Sequence, residues 1–145
     1  MIMKKHKIGY TTGVFDLFHI GHLNILKRAK EYCECLIVGV TTDELVRERK
    51  GKLTVIPFEE RIEIIKSICY VDRVVPQINM NKLEAWHSLK FNAMFVGDDW
   101  KGTDSWINYE AKFNEVGVDV VYLPYTKHTS STILSEFIMR GNNNA

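Results

Sequence analysis

Thr11-Thr-Gly-Val-Phe-Asp-Leu-Phe-His-Ile-Gly-His22 joins an apolar run at residues 7–10 to a segment where Ile20, Leu23, Leu26 and Ala29 share one helical face. Lys27, Arg28 and Lys30 lie on the opposite face. The passage reads as strand, turn and helix. At such a junction the free N–H groups and the helix dipole favour an anion. Gly13 lets the backbone approach a phosphate closely. Imidazoles at His19 and His22 can donate hydrogen bonds as negative charge builds up. Chance supplies about 0.01 such His-x-Gly-His patterns in a chain of this composition. The plainer alternative makes His19 a helix cap and leaves His22 on a polar face.

The alternation continues outward. Residues 36–40, 73–75, 93–96 and 118–123 are rich in Val, Ile, Phe and Tyr, as strands buried on both faces are. Between them come helical repeats: Phe58, Ile62, Ile65 and Ile68, with Pro57 in the first turn, then Leu83, Trp86 and Leu89, then Ile107, Ala111 and Val116, ended by Gly117. Ile133, Leu134, Phe137 and Ile138 form the last, with Ser130 or Ser131 as cap. The pattern predicts an α/β fold, a parallel sheet of about five strands with helices on both faces. Ligands of such sheets lie beyond the carboxyl ends of the strands. One domain is expected over residues 1–140, with 141–145 a flexible polar tail.

The 145 residues carry 19 Lys plus Arg against 18 Asp plus Glu, a net charge of +1. Such a chain does not coat nucleic acid or an anionic membrane through bulk charge, so an anionic ligand must be held locally. No apolar run approaches a membrane span, and no apolar segment follows the basic start. Cys33 and Cys35 have the wrong spacing for a redox or zinc pair and read as reduced packing cysteines of a cytoplasmic protein. Trp86, Leu89 and Phe91 read as core or subunit interface. Thr129-Ser-Ser-Thr132 opens the last helix, where hydroxyls and N–H groups cap it, form a second anion site, or both.

Four blocks resemble the His-x-Gly-His nucleotidyltransferases, most closely the cytidylyltransferase branch. They are residues 12–22; Thr42-Asp-Glu44 with Lys50-Gly-Lys52 and Glu60-Arg61; Val96-Gly-Asp-Asp-Trp-Lys-Gly102; and residues 126–132, which match only in part. The resemblance implies a Rossmann-like fold, a homodimer, and transfer of CMP from CTP to a small phosphorylated alcohol, glycerol 3-phosphate first among them. It implies Mg²⁺ carried on the triphosphate, with no metal site on the protein.

By the same resemblance His19, His22, Lys50 and Arg61 are catalytic. Thr12, Gly13, Val14, Phe15, Gly21, Lys52, Lys127 and residues Thr129, Ser130, Ser131 and Thr132 bind the nucleotide. Gly97, Asp98, Asp99 and Trp100 surround the cytidine. Residues 47–52, the one strongly basic run, read either as a solvated helix end or as a mobile loop over CTP. For Arg61 the rival is a plain salt bridge. Asp16 either steadies the turn or touches the acceptor. Met80 stands where the glycerol-phosphate enzymes carry a tryptophan near the acceptor, Tyr125 where the family has arginine, and His128 where it has glycine. The competing functions are an adenylyltransferase, a cytidylyltransferase for another phospho-alcohol (polyol phosphate, phosphocholine or phosphoethanolamine), and a nucleotide-binding module without turnover.

Overall fold

The structure, a computed structural model, describes residues 6–124, 126 and 129–143. Five parallel strands, β1 (His6–Gly13), β2 (Cys33–Thr41), β3 (Arg73–Gln77), β4 (Ala93–Gly97) and β5 (Asp119–Leu123), form one sheet in the order β3-β2-β1-β4-β5. Helices α1 (Ile20–Tyr32), α2 (Asp43–Lys50), α3 (Phe58–Lys66), α4 (Lys82–Leu89) and α5 (Asp104–Glu115) fill the crossovers, and α6 (Ser131–Asn143) follows β5.

The two-residue period of the strands sorts their side chains between two cores. Leu36, Val38 and Val40 of β2 join Phe95 of β4 against Leu26 and Ala29 of α1 and Ile65 of α3. Ile37, Tyr10 and Met94 point the other way, against Trp106 and Phe113 of α5 and the partly buried Leu83, Trp86 and Leu89 of α4. Both faces are covered, which is why the strands read as unbroken apolar runs. Trp86, Leu89 and Phe91 all belong to this second core.

The chain winds from β1 outward to β3, then returns to the far side of β1 for β4 and β5. The reversal lies between β1 and β4, where an open α/β sheet has its crevice. β1 pairs with β2 as far as Gly13↔Val40, but with β4 only at Gly9↔Ala93 and Tyr10↔Met94. Beyond that the Thr11 hydroxyl reaches the Phe95 carbonyl at 3.0 Å. The strands therefore separate at their carboxyl ends, beneath the two motifs read from the sequence.

Two local expectations change, at Pro57 and at the tail, and the choice of capping serine is resolved. Pro57 is the N-cap of α3 rather than its first residue, and Ser130 is the serine that caps α6, accepting from the Ile133 N–H at 3.1 Å. The tail expected from residue 141 is helical as far as Asn143.

Candidate active site

The turn after β1 is strained: Phe15 and Leu17 hold positive φ angles of 55° and 50° without being glycine. It ends in a reciprocal cap. The His19 ring folds back so that its Nδ1 accepts the Gly21 N–H at 3.0 Å, and His22 Nδ1 accepts the His19 N–H at 3.3 Å. A Cβ on residue 21 would lie 2.8 Å from the His19 ring, so glycine is required between the histidines. The rings stack with centroids 3.8 Å apart. With each Nδ1 accepting, the proton of each neutral ring sits on Nε2. Burial lowers the His19 pKa. Burial and then the charge of His19 push His22 down to about 4, against an opposing pull from Asp16. Near neutral pH the pair is two uncharged imidazoles, each with one N–H left to donate. Capping and donation are compatible, because they use different nitrogens.

Gly13 also has a packing role. Its open face is filled by the Phe15 ring, which a Cβ would meet at 2.8 Å. The same ring packs edge-on against His22, centroids 5.3 Å apart, and contributes to its burial.

A cavity of about 200 Å³ opens beside the turn, lined by His19, Gly21, His22 and Ile25 of α1 and by Thr126, Thr129, Ser130 and Ser131. Asn24 holds this side together through the Thr126 hydroxyl at 3.2 Å, and the Ser131 hydroxyl donates to the Asp16 carbonyl. The N-termini of α1 and α6 thus meet at one concavity with several hydroxyls, an environment for an anion. The structure brings the first and fourth motifs together here. Thr132 is exposed and does not line the cavity. Lys127, with Tyr125 and His128, lies outside the described residues.

Arg61 requires a correction. Expected at the phosphates, it is fully buried. Its Nε donates to the Ile56 carbonyl at 2.9 Å and its Nη1 to the carbonyls of Val14 at 2.6 Å and Thr41 at 2.8 Å. Nη2 pairs with Asp43 Oδ1 at 2.6 Å. The guanidinium clamps the first turn to the end of β2, the start of α2 and the segment leading into α3. Burial alone would raise the Asp43 pKa. Hydrogen bonds from the Phe58 N–H, Arg61 and Thr54, with the Arg61 charge, hold it below the carboxylate range. Asp43 lay in the second motif, yet nothing in the sequence marked it as Arg61's partner.

Asp16 steadies loops. Its carboxylate accepts the N–H groups of Val55 and Ile56 at 2.8 and 2.9 Å, tying residues 51–57 to the first turn. Of the two readings of the basic run, its first four residues take the helix end: they are the exposed last turn of α2, closed by Gly51 at φ 65°. Burial, then Lys52 and Arg49, lower the Lys50 pKa while Asp16 opposes them, so Lys50, Lys52 and Asp16 share one neighbourhood.

Gly97 ends β4 and Asp98–Trp100 form a single 3-10 turn across the crevice from the histidines. Asp98, Asp99 and Trp100 are exposed there and line neither cavity described here. Met80 follows β3, its sulfur 3.3 Å from Arg49 Nη1 and 3.5 Å from Gln77 Nε2. Among the described residues no helix is long and apolar enough to cross a membrane.

Residues 10–137 match the family model described as Cytidylyltransferase-like. The glycerol-3-phosphate cytidylyltransferase of Bacillus subtilis is 35% identical over 129 residues, 88% of this chain and 94% of that one. The FAD synthase of Thermococcus sibiricus is 34% identical over 139 residues, 94% of each chain. Among solved structures, the lipopolysaccharide core biosynthesis protein of Thermoplasma volcanium superposes with TM-score 0.70 at 26% identity, covering 86% of this chain and 99% of that one. Over most of its length, then, this chain belongs to the Cytidylyltransferase-like family.

Proposed function

We propose that the protein transfers CMP from CTP to a small phosphorylated alcohol, glycerol 3-phosphate first among the acceptors. The observation that carries this reading is the pair of neutral histidines, each with its Nδ1 taken by a backbone N–H, that line an anion-favouring concavity between two helix N-termini. An oxygen of the acceptor's phosphate attacks the α-phosphorus of CTP. The bond to the bridging oxygen breaks, and pyrophosphate leaves with the electron pair. The attacking group is already anionic, so no enzyme nucleophile is needed and catalysis is positioning and charge stabilisation. His19 and His22 donate to the phosphoryl oxygens as charge grows. Lys50 and Lys52 add positive charge from the end of α2. Thr12, Val14 and Phe15 shape the turn beside the nucleotide, and residues 97–100 receive the base.

Mg²⁺ bound to the triphosphate oxygens would neutralise charge on the leaving pyrophosphate. Such an ion is held mainly by phosphate oxygens and water rather than by a protein cage. A cytoplasmic homodimer belongs to the same reading.

The FAD synthase relatives favour a second reading, adenylyl transfer to a flavin phosphate. Pyrophosphate release decides between them, measured with CTP, ATP, GTP and UTP against phospho-alcohols and flavin mononucleotide. Release with CTP and a phospho-alcohol is expected. Release with ATP and flavin mononucleotide alone would overturn the cytidylyl reading.

A further inference from the structure

The cavity beside the histidines treats most of its polar groups alike. His19 Nδ1 accepts the Gly21 N–H and His22 Nδ1 accepts the His19 N–H, so each neutral ring has only an N–H left to offer. Ser130 Oγ accepts the Ile133 N–H at 3.1 Å, and Thr126 Oγ1 accepts from Asn24 Nδ2 at 3.2 Å. A hydroxyl has one proton, and a donor bound at one of its lone pairs turns that proton elsewhere. Among the described residues nothing accepts the proton of Thr126 or of Ser130.

Four groups of the lining thus have an acceptor filled from within the fold and a hydrogen left over. Ser131 is the exception, its hydroxyl donating to the Asp16 carbonyl. The second cavity of the fold, about 240 Å³ between the end of β3 and α4, has no such bias, because its lining mixes the cation of Lys82 with the carboxylate of Glu84. A wall of donors suits an oxyanion whose oxygens carry no protons, as those of a nucleoside triphosphate do near neutral pH.

Three of the four groups are set locally, by backbone N–H groups two or three residues away. Thr126 differs. Its partner is a side chain 102 residues distant, on α1, and Asn24 itself does not line the cavity. One turn further along α1, Arg28 Nη1 donates to the Pro124 carbonyl at 3.3 Å. Asn24 and Arg28 together hold the chain leaving β5 against α1, where Thr126 joins the lining.

We propose that Asn24 is a positioning residue for the triphosphate: it fixes Thr126 at the cavity wall and orients the hydroxyl so that its proton goes to a phosphate oxygen. Asn24 acts through Thr126 and touches no substrate. The inference rests on the transferase reading above for the identity of the anion.

A near-isosteric exchange separates orientation from shape. In Asn24→Asp the carboxylate only accepts, so the Thr126 hydroxyl donates to it and its proton is lost to the anion. Thr126→Val removes the hydroxyl outright. Calorimetric titration with CTP, and separately with inorganic triphosphate, measures both effects in the wild type, the two single variants and the double variant. Each single variant should bind both ligands about 10–100-fold more weakly, the scale of one hydrogen bond to a charged group. The new carboxylate also repels the anion, but it does so whether or not residue 126 has a hydroxyl. The cost of Asn24→Asp should therefore shrink at least about threefold in the Thr126→Val background. Steady-state kinetics should show a raised KM for CTP and an unchanged KM for the acceptor, with the melting temperature of Asn24→Asp close to that of the wild type. Triphosphate binding unchanged in Asn24→Asp, or a cost that is the same in both backgrounds, overturns the inference. A wild type that binds both ligands yet releases pyrophosphate with no substrate pair ends the transferase reading alone, and the four titrations still decide the role of Asn24.

Discussion

Arg61 and Lys82 are both buried cations on helices flanking the sheet, and they are opposites. Arg61 donates four hydrogen bonds, three to carbonyls and one to Asp43. Lys82 has no such partner among the described residues and lines a cavity. A saturated guanidinium has little left for a substrate, so it fixes the loops around one. An ammonium with only the Trp106 ring beside it ties no loops together. Charge and burial alone do not separate the two roles. Hydrogen-bond saturation does.

The sharpest way to break this contrast is Arg61→Met. It takes the guanidinium away from Asp43 and three carbonyls, so thermal or urea unfolding should reveal a loss of about 3–5 kcal/mol. Arg61→Lys should restore little of it, because an ammonium cannot reproduce the fork. Stability close to wild type would return Arg61 to the list of phosphate ligands. His19→Ala comes next. Steady-state kinetics should give kcat lower by about 10²–10³, the effect of removing one transition-state donor. Near-normal turnover would reduce His19 to a cap. Lys82→Met should move the other way from Arg61→Met, with a melting temperature unchanged or raised, since it removes a charge that has no protein partner. A large loss of stability there would mean that Lys82 is structural after all.

A pH dependence is expected as well. His22 titrates at about 4 when folded and near 6.5 when unfolded, so between these values the unfolded chain binds more protons. The contribution of His22 is complete above about pH 6.5 and declines as the pH falls toward 4. Unfolding followed from pH 7 to 4.5 should show that decline, and it should be shallower in His22→Asn. An identical slope in both would detach it from His22.

Much of this was legible before any coordinates. Strand periodicity, the His-x-Gly-His turn and the helix-opening hydroxyls are local signals, because each is set by a few consecutive residues. Other roles needed partners distant in sequence. Arg61 looked like a phosphate ligand because a cation near an apolar helical face gives no sign of the carbonyls of Val14 and Thr41 that it meets. The packing role of Gly13 was not legible, because the Phe15 ring over it depends on a positive φ that the residue type does not announce. Lys82 gave no signal, since it opens a short helix as an ordinary lysine would.

By itself, then, the sequence determined the class of the fold and set two imidazoles at the turn after β1. These follow from period, spacing and residue type along one stretch of chain. The tertiary structure decided which cations are available. Saturation depends on groups brought together across the fold, by the winding reversal beside β1 and by the packing of α3 and α4 on opposite faces of the sheet.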